Sequence, residues 1–449
     1  MKQFEEKGEW WLPGREKRKI PGILIIDDLG NAELALLGTL TDPMGDGLQA
    51  TINGITTTTY SRDSLEASGT YPRILGQVEN KAFTLEDCFQ KRSRSNLMGG
   101  LATEVIHVHQ VFKGAWFEEG EQASAIGVSF APRFLTNWIM KGGISERSFL
   151  RDSDRLEGSD ARFVVTGHEV PQEEVYLDNG ATISLSQVLR LTGDGVSSHT
   201  VSQEYSFRID TPEVETVTEL IDMASDLQDL VSIATNRTAS FDKMNFRHPG
   251  LKIEREGKPD YLPPIDFYAA WSAQGDNQKA PRNMVFKFSD LGGMPAVGEW
   301  AKVARTHRSA LGRVMATRYS KSMYVSDRML NRAASLESLD RHINPDKVHF
   351  KRMLLRCADL AGDQFKELIA DQDRWADLVK RDRHDIAHHL GRNRESTEQF
   401  FLSETLYWLF IMCMLREMRA PESAFASLST FSEYRWLATK VGAIVRVAK

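Results

Sequence analysis

The chain lacks a long apolar run, is poor in cysteine and carries no excess of positive charge, and each of these removes a class of protein. Its most apolar stretch, Leu406 to Leu415, is far shorter than the ~20 residues of a membrane span, so it reads as a buried helix and no membrane partner is expected. The three cysteines, Cys88, Cys357 and Cys413, are widely spaced among apolar neighbours. That spacing excludes a disulfide framework and a Cys-ligated zinc site, and it fits buried thiols in a reducing cytosol. A net charge of -6 means that any contact with RNA or DNA must come from a local patch. The opening Met1-Lys2-Gln3-Phe4-Glu5-Glu6 lacks the apolar core of a signal peptide, so the expected location is the cytoplasm.

What is present is an ordinary globular composition, 41% hydrophobic and 26% charged over 449 residues, a length that predicts two or three domains. The first 290 or so residues read mainly as strands. Ile23 to Asp27 and Ala32 to Leu40 flank the turn Asp28-Leu29-Gly30-Asn31 and suggest a hairpin. Further strands are expected over Arg73 to Val78, Thr103 to Phe112, Ala123 to Phe130, Arg162 to Val165, Ala181 to Leu185 and Glu204 to Ile209. Their short lengths and frequent breaks favour a β-sandwich over a parallel sheet. One helix interrupts them: Thr211-Pro212-Glu213 reads as its N-cap and first turn, and Val214, Val217, Ile221, Leu227 and Val231 lie close to one face of a segment reaching about Ala234.

Residues 247 to 282 hold five prolines and read as loop. Beyond Pro295 the apolar period changes from 2 to 3.6. Val325, Met329, Ala333, Leu336 and Ile343 trace one stripe, Asn344-Pro345 breaks it, and Phe350, Met353, Cys357, Leu360 and Leu368 trace another. Trp375 to Gly391, Gln399 to Met418 and Tyr434 to Val447 add three more helices. The expected fold is therefore α+β, a β-sandwich-like domain over 1–290 followed by an all-α helical bundle over 296–449, with Gly292-Gly293 at the junction.

The densest concentration of reactive groups is Lys380 to His389, where His384, His388 and His389 are interleaved with Arg381 and Arg383. Imidazole titrates near neutral pH and guanidinium binds phosphate bidentately, a combination suited to metal-free phosphodiester chemistry. Cleaving RNA needs one group to take the 2′-OH proton, one to protonate the leaving 5′-oxygen, and a cation on the non-bridging phosphate oxygens. Arg383 and His388 are five residues apart, about 140° round a helix, so they flank a groove without sharing a face. Arg381 and His388 share a face, as do His384 and His388. The plainer account is a solvated helix face edged by histidines. A third is a zinc hydrolase, because His384-Asp385-Ile386-Ala387-His388 has the spacing of His-Glu-x-x-His, although Asp is one methylene short and no third ligand follows.

The helical region resembles the HEPN superfamily, in its Apea-like branch. The superfamily motif is Arg, four to six residues, then His, often with a polar residue right after the Arg, and Arg383 to His388 fits it with His384 in the polar position. Asn331 to Arg341 looks like the first long helix of that domain, with an acid at Glu337. Upstream, Gly8-Glu9-Trp10-Trp11-Leu12-Pro13-Gly14, the hairpin around Gly22 to Leu40, Ile74-Leu75-Gly76 followed by Phe83 to Cys88, and Asp226 to Ala234 resemble the β-rich domain of ApeA-type anti-phage proteins. The resemblance implies a metal-independent endoribonuclease of bacterial anti-phage defence acting by abortive infection, with no cofactor. It implies RNA as substrate, tRNA among the candidates, a phage-derived trigger, and a homodimer that faces two motifs across a two-fold axis. Arg383, His388 and His384 would then be catalytic, with Arg381, His389 and Glu337 assisting; Arg381 and His389 also satisfy the motif's spacing. Some members bind without cutting, so a non-catalytic nucleotide-binding or interaction role is the alternative.

Three further groups stand out less. His107 and His109 lie on one face of a strand, better read as a polar sheet face than as a metal pair. Trp10 and Trp11 read as anchors of the chain to a sheet. Arg392 and Arg394 read either as an extended phosphate surface or as charges complementing the helix end.

Overall fold

Buried residues alternate with half-buried ones along Gly22 to Ile26 and Ala32 to Leu36, which gives the sheet one apolar face, and that face closes on itself. The computed structural model describes residues 4–41, 48–52, 55–59, 69–94, 101–118, 120–148, 163–257, 260–270, 281–320, 322–388 and 394–447. They fall into two compact units, one of residues 1–130, 211–220 and 241–274, the other of residues 131–210, 221–240 and 275–449.

In the first unit six strands form a ring: β1 (Phe4–Trp11), β2 (Ile20–Ile26), β3 (Ala32–Leu36), β4 (Thr70–Val78), β5 (Lys81–Arg94) and β6 (Thr103–Val108). The antiparallel pairs run β1 to β2, β2 to β3, β3 to β6, β6 to β5, β5 to β4 and β4 back to β1. Trp10, Leu24, Ile26, Leu34, Ile74, Phe83, Leu85 and Ile106 fill the interior. The sandwich-like arrangement expected from the sequence is thus a barrel with added strands, and β5 is the reason. Its register shifts between Gln90 and Arg92, so its second half closes the ring on β6 while Phe83 to Glu86 pair with the outer strand Gln110–Lys113. Ile265–Ala269, Phe241–Arg247 and Ser124–Pro132 continue outward from that strand. Trp10 and Trp11 are buried, as anchors should be. Gly76 is where Trp10 demands glycine, because a Cβ there would stand 2.2 Å from the indole.

The hairpin about Asp28 to Asn31 pairs as expected, but the helix expected from Thr211 starts later. Residues 211–216 extend a strand that begins at Thr200, and Thr211 donates its hydroxyl to the Ile126 carbonyl at 3.1 Å. Helix α1 (Val217–Thr235) is capped instead by Thr216, whose Oγ1 accepts from the Glu219 N–H at 3.2 Å, a Ser/Thr-x-x-Glu cap.

The second unit carries the helices α2 (Met294–Thr306), α3 (Arg308–Tyr319), α4 (Val325–Ile343), α5 (Phe350–Ala361), α6 (Asp363–Ile369), α7 (Gln372–His388), α8 (Ser396–Glu417), α9 (Glu422–Thr430) and α10 (Ser432–Val447). The stripe read from Phe350 to Leu368 is two helices, divided at Gly362, whose φ of 91° continues no helix. Every residue of α8 from Phe401 to Leu415 is buried, which makes it the central helix around which α4, α5, α6, α7 and α10 pack. No helix among the described residues is long and apolar enough to cross a membrane. The three cysteines are buried free thiols.

Candidate functional site

Helix α7 presents the Arg/His segment because its other face is committed to the core. Asp371 opens the helix by accepting from the Arg374 N–H at 3.0 Å. Trp375, Ala376, Leu378, Val379 and Asp382 are buried, at the spacing of one helical face. Trp375 fixes the rotation by donating its indole N–H to Thr405 Oγ1 on α8 at 2.9 Å. Asp382 is the one acid on that face; its carboxylate accepts from Arg394 Nε at 3.0 and 2.9 Å, and Arg394 also reaches Glu398 at 3.1 Å. Burial pushes the Asp382 carboxyl above its ordinary range, with Arg394 pulling the other way. Arg394 therefore clasps the chain after α7 onto the start of α8, which favours neither reading given to it from the sequence. Arg392 and His389 lie outside the described residues.

Once this face is fixed, the next positions turn outward. Arg383 extends across to α4 and pairs with Glu337, Nη2 to Oε1 at 2.8 Å, while its guanidinium lies over the Phe350 ring of α5 at 4.4 Å. The start of α5 is tied to α7 by Lys351, which contacts Asp377 at 2.9 Å and Asp373 at 3.1 Å, so Phe350 is held where the guanidinium needs a floor. Asp340 and Arg356 join α4 to α5. Three helices thus fix one arginine. Its side chain keeps 36% of its surface exposed and that of Glu337 keeps 24%, so the pair can be reached by a ligand.

His384 and His388 are exposed one turn apart, their ring centroids 4.7 Å from each other. Arg381 is exposed on the same helix. The structure therefore joins Arg383 with Glu337 and sets His384 beside His388. Phe350 is the residue that sequence reasoning missed: it was counted in a core stripe, whereas it is half-buried beneath Arg383. An aromatic in the first turn of a helix after a proline break was the available signal. Among the described residues no three His, Cys, Asp or Glu side chains gather where they could hold a metal ion. The site offers one oriented guanidinium and two neighbouring imidazoles, the groups that bind a phosphate and move protons beside it.

A helical bundle with such a helix belongs to a recognised class: residues 319–424 match the family described as Apea-like HEPN. Residues 5–300, well over half of the chain, match the ApeA N-terminal domain 1. The chain belongs to the ApeA family. Neither the curated proteins nor the solved structures give a match to it.

Proposed function

We propose that the chain is a metal-independent endoribonuclease of anti-phage defence, acting inside the cell as a homodimer with Arg383 and His388 as its working pair. The observation that carries this is Arg383 held by Glu337 and Phe350 on the helix that also exposes the neighbouring His384 and His388. Arg383 holds the non-bridging phosphate oxygens as negative charge builds on them. One imidazole takes the 2′-OH proton, the 2′-oxygen attacks phosphorus, and a second imidazole protonates the departing 5′-oxygen, giving a 2′,3′-cyclic phosphate and a 5′-OH. Two copies of α7 related by a two-fold axis supply His388 twice and Arg383 twice, while His384 assists within each chain. The N-terminal barrel, whose loops sit on a closed scaffold, serves as the sensor for a phage-derived trigger.

The test is incubation of purified protein with tRNA and total RNA in the presence of EDTA. Cleavage leaving 2′,3′-cyclic phosphate ends, lost in the Arg383→Ala/His388→Ala variant with its melting temperature unchanged, is the expected result. Undiminished cleavage or cell toxicity in the double variant would reject the site. RNA binding without cleavage would favour a non-catalytic binding protein, and a stoichiometric metal removed together with activity would favour the zinc reading.

A further inference from the structure

A pocket of about 190 Å³ lies within the second unit, where the end of α1 meets α3, α4 and α8. Its wall includes Asn236, Arg237, Arg318, Tyr319, Arg328 and Tyr407, that is, three arginines, and among the described residues no carboxylate lines it. Arg332 stands behind the wall, fully buried. The carboxylates joined to this group are few. Glu404 pairs with Arg318 at 3.2 Å and with Arg332 at 2.8 Å, and the exposed Glu433 accepts from Asn236 at 2.5 Å. Asp229, the acceptor of the Tyr319 hydroxyl, is buried, and burial pushes its carboxyl up. Among the described residues four guanidiniums thus meet three carboxylates, of which Glu404 bonds to arginine while Glu433 accepts from Asn236 and Asp229 from Tyr319.

The hydrogen bonds point the same way. Arg328 Nε and Arg332 Nη2 are buried N–H donors with no acceptor among the described residues, an arrangement that costs free energy unless something supplies one. Two of the lining hydroxyls are engaged: Thr317 donates to the Val314 carbonyl and Ser232 to the Gln228 carbonyl. The unsatisfied donors are guanidinium N–H groups, and the group that matches several guanidiniums at once is a phosphoryl oxyanion. The volume is roughly six waters at ~30 Å³ each, enough for a phosphoryl group on a small carrier and too little for an oligonucleotide.

We propose that this pocket binds a small phosphorylated ligand, with Arg237, Arg318 and Arg328 holding its phosphoryl oxygens. It is separate from the Arg383 site. Arg332 and Glu337 are five residues apart on α4, about 140° round the helix, so the pocket and the Glu337–Arg383 pair use different faces. The inference stands whether or not the protein cuts RNA.

Isothermal titration of the full chain with inorganic phosphate and, separately, with ribose 5-phosphate, at ionic strength matched with chloride, tests it. Saturable one-to-one binding of at least one probe is expected. Arg237→Gln and Arg328→Gln should each weaken it at least about tenfold, the loss of a charge-assisted hydrogen bond. Arg237 is exposed, so its variant keeps the fold even if the Arg328 variant does not. Tighter binding of ribose 5-phosphate assigns the site to a phosphorylated metabolite; tighter binding of inorganic phosphate assigns it to the free anion. Absence of saturable heat from both probes, or equal binding by wild type and Arg237→Gln, would overturn the proposal.

Discussion

Replacing Arg332 by Met tests whether the helical unit is held by a buried ionic knot. Arg332 has no exposed surface, and Met keeps most of its stem while removing the charge. Five contacts go with the guanidinium: Nε to Thr317 Oγ1 at 2.9 Å, Nη1 to the Ser403 carbonyl at 2.9 Å, to Ser403 Oγ at 3.2 Å and to Glu404 Oε1 at 2.8 Å, and the Tyr407 ring at 5.4 Å. Burial alone would raise the Glu404 carboxyl, but Arg332 and then Arg318 outweigh it and hold it below its ordinary range. Removing one partner of a buried pair costs about 3 to 5 kcal/mol, chiefly because the other charge is left without compensation. Arg318 stays beside Glu404 at 3.2 Å, so the low end applies, about 3 kcal/mol. At roughly 2 to 4 °C per kcal/mol for a unit of this size, the melting temperature should fall by about 6 to 12 °C. Calorimetry or fluorescence melting in chloride buffer reads it. The double variant Arg332→Met/Glu404→Gln should recover part of the loss, because it removes the stranded carboxylate. A fall below about 2 °C, or a double variant less stable than the two single losses combined, would refute the argument.

Glu337→Gln should do the opposite. Its pair with Arg383 is part-exposed and contributes less than about 1 kcal/mol, so melting should barely change while RNA cleavage falls as Arg383 loses its anchor; a large drop in melting temperature would show the pair to be structural. The pH dependence of stability carries a separate signature at Asp226, whose carboxyl burial pushes up from 3.8 to about 6 although Arg308 bonds to it. Between those pH values the folded state keeps a proton that the unfolded chain has released. Stability is therefore greatest below the lower value and declines as pH rises through about 6, by up to about 3 kcal/mol. Asp226→Asn should flatten this slope in urea titrations run from pH 4 to 7, and an unchanged slope would place the effect elsewhere.

What could be read from the sequence was whatever depends on neighbours in the chain. The turn Asp28-Leu29-Gly30-Asn31 between two apolar segments marked the β2–β3 hairpin, and the stripe Met329, Ala333, Leu336 marked α4, because both signals are local. Closure of the barrel was not legible, since β3 to β6 and β4 to β1 pair residues remote in sequence, and the bend in β5 that permits it leaves no mark in a polar stretch such as Gln90 to Arg92. The start of α1 was misplaced because two cap signals compete, Thr211-Pro212-Glu213 and Thr216 with Glu219; hydrogen bonding of Thr211 to Ile126 decides between them, and that contact is long-range. At the site, the Arg/His segment stood out by composition. Phe350 did not, because a half-buried aromatic under a guanidinium has the same spacing as a core residue. Arg332 was hidden for the converse reason: a charged residue within a helix is ordinarily solvated, and it takes Glu404 and Ser403 of α8 with Thr317 of α3, all remote in sequence, to make its burial tolerable.

The contrast between the two arginine pairs on α4 bears on how the proposed nuclease would work. Arg332 and Glu404 are sealed from water, and separating them strands a charge, so that pair is fixed for as long as the bundle is folded. Arg383 and Glu337 are bonded at the same 2.8 Å but remain open to solvent, where an ion pair is weak enough to be exchanged for another partner. An RNA phosphate can therefore take the guanidinium from Glu337 at little cost, while Phe350 keeps its plane and position during the exchange. A buried Arg383 would hold its carboxylate too firmly to release it, and one without Glu337 and Phe350 would have to be ordered at the moment of binding, at a cost in side-chain entropy. Intermediate exposure is the condition that serves both needs, and among the cationic side chains of α7 Arg383 combines it with contacts to both α4 and α5.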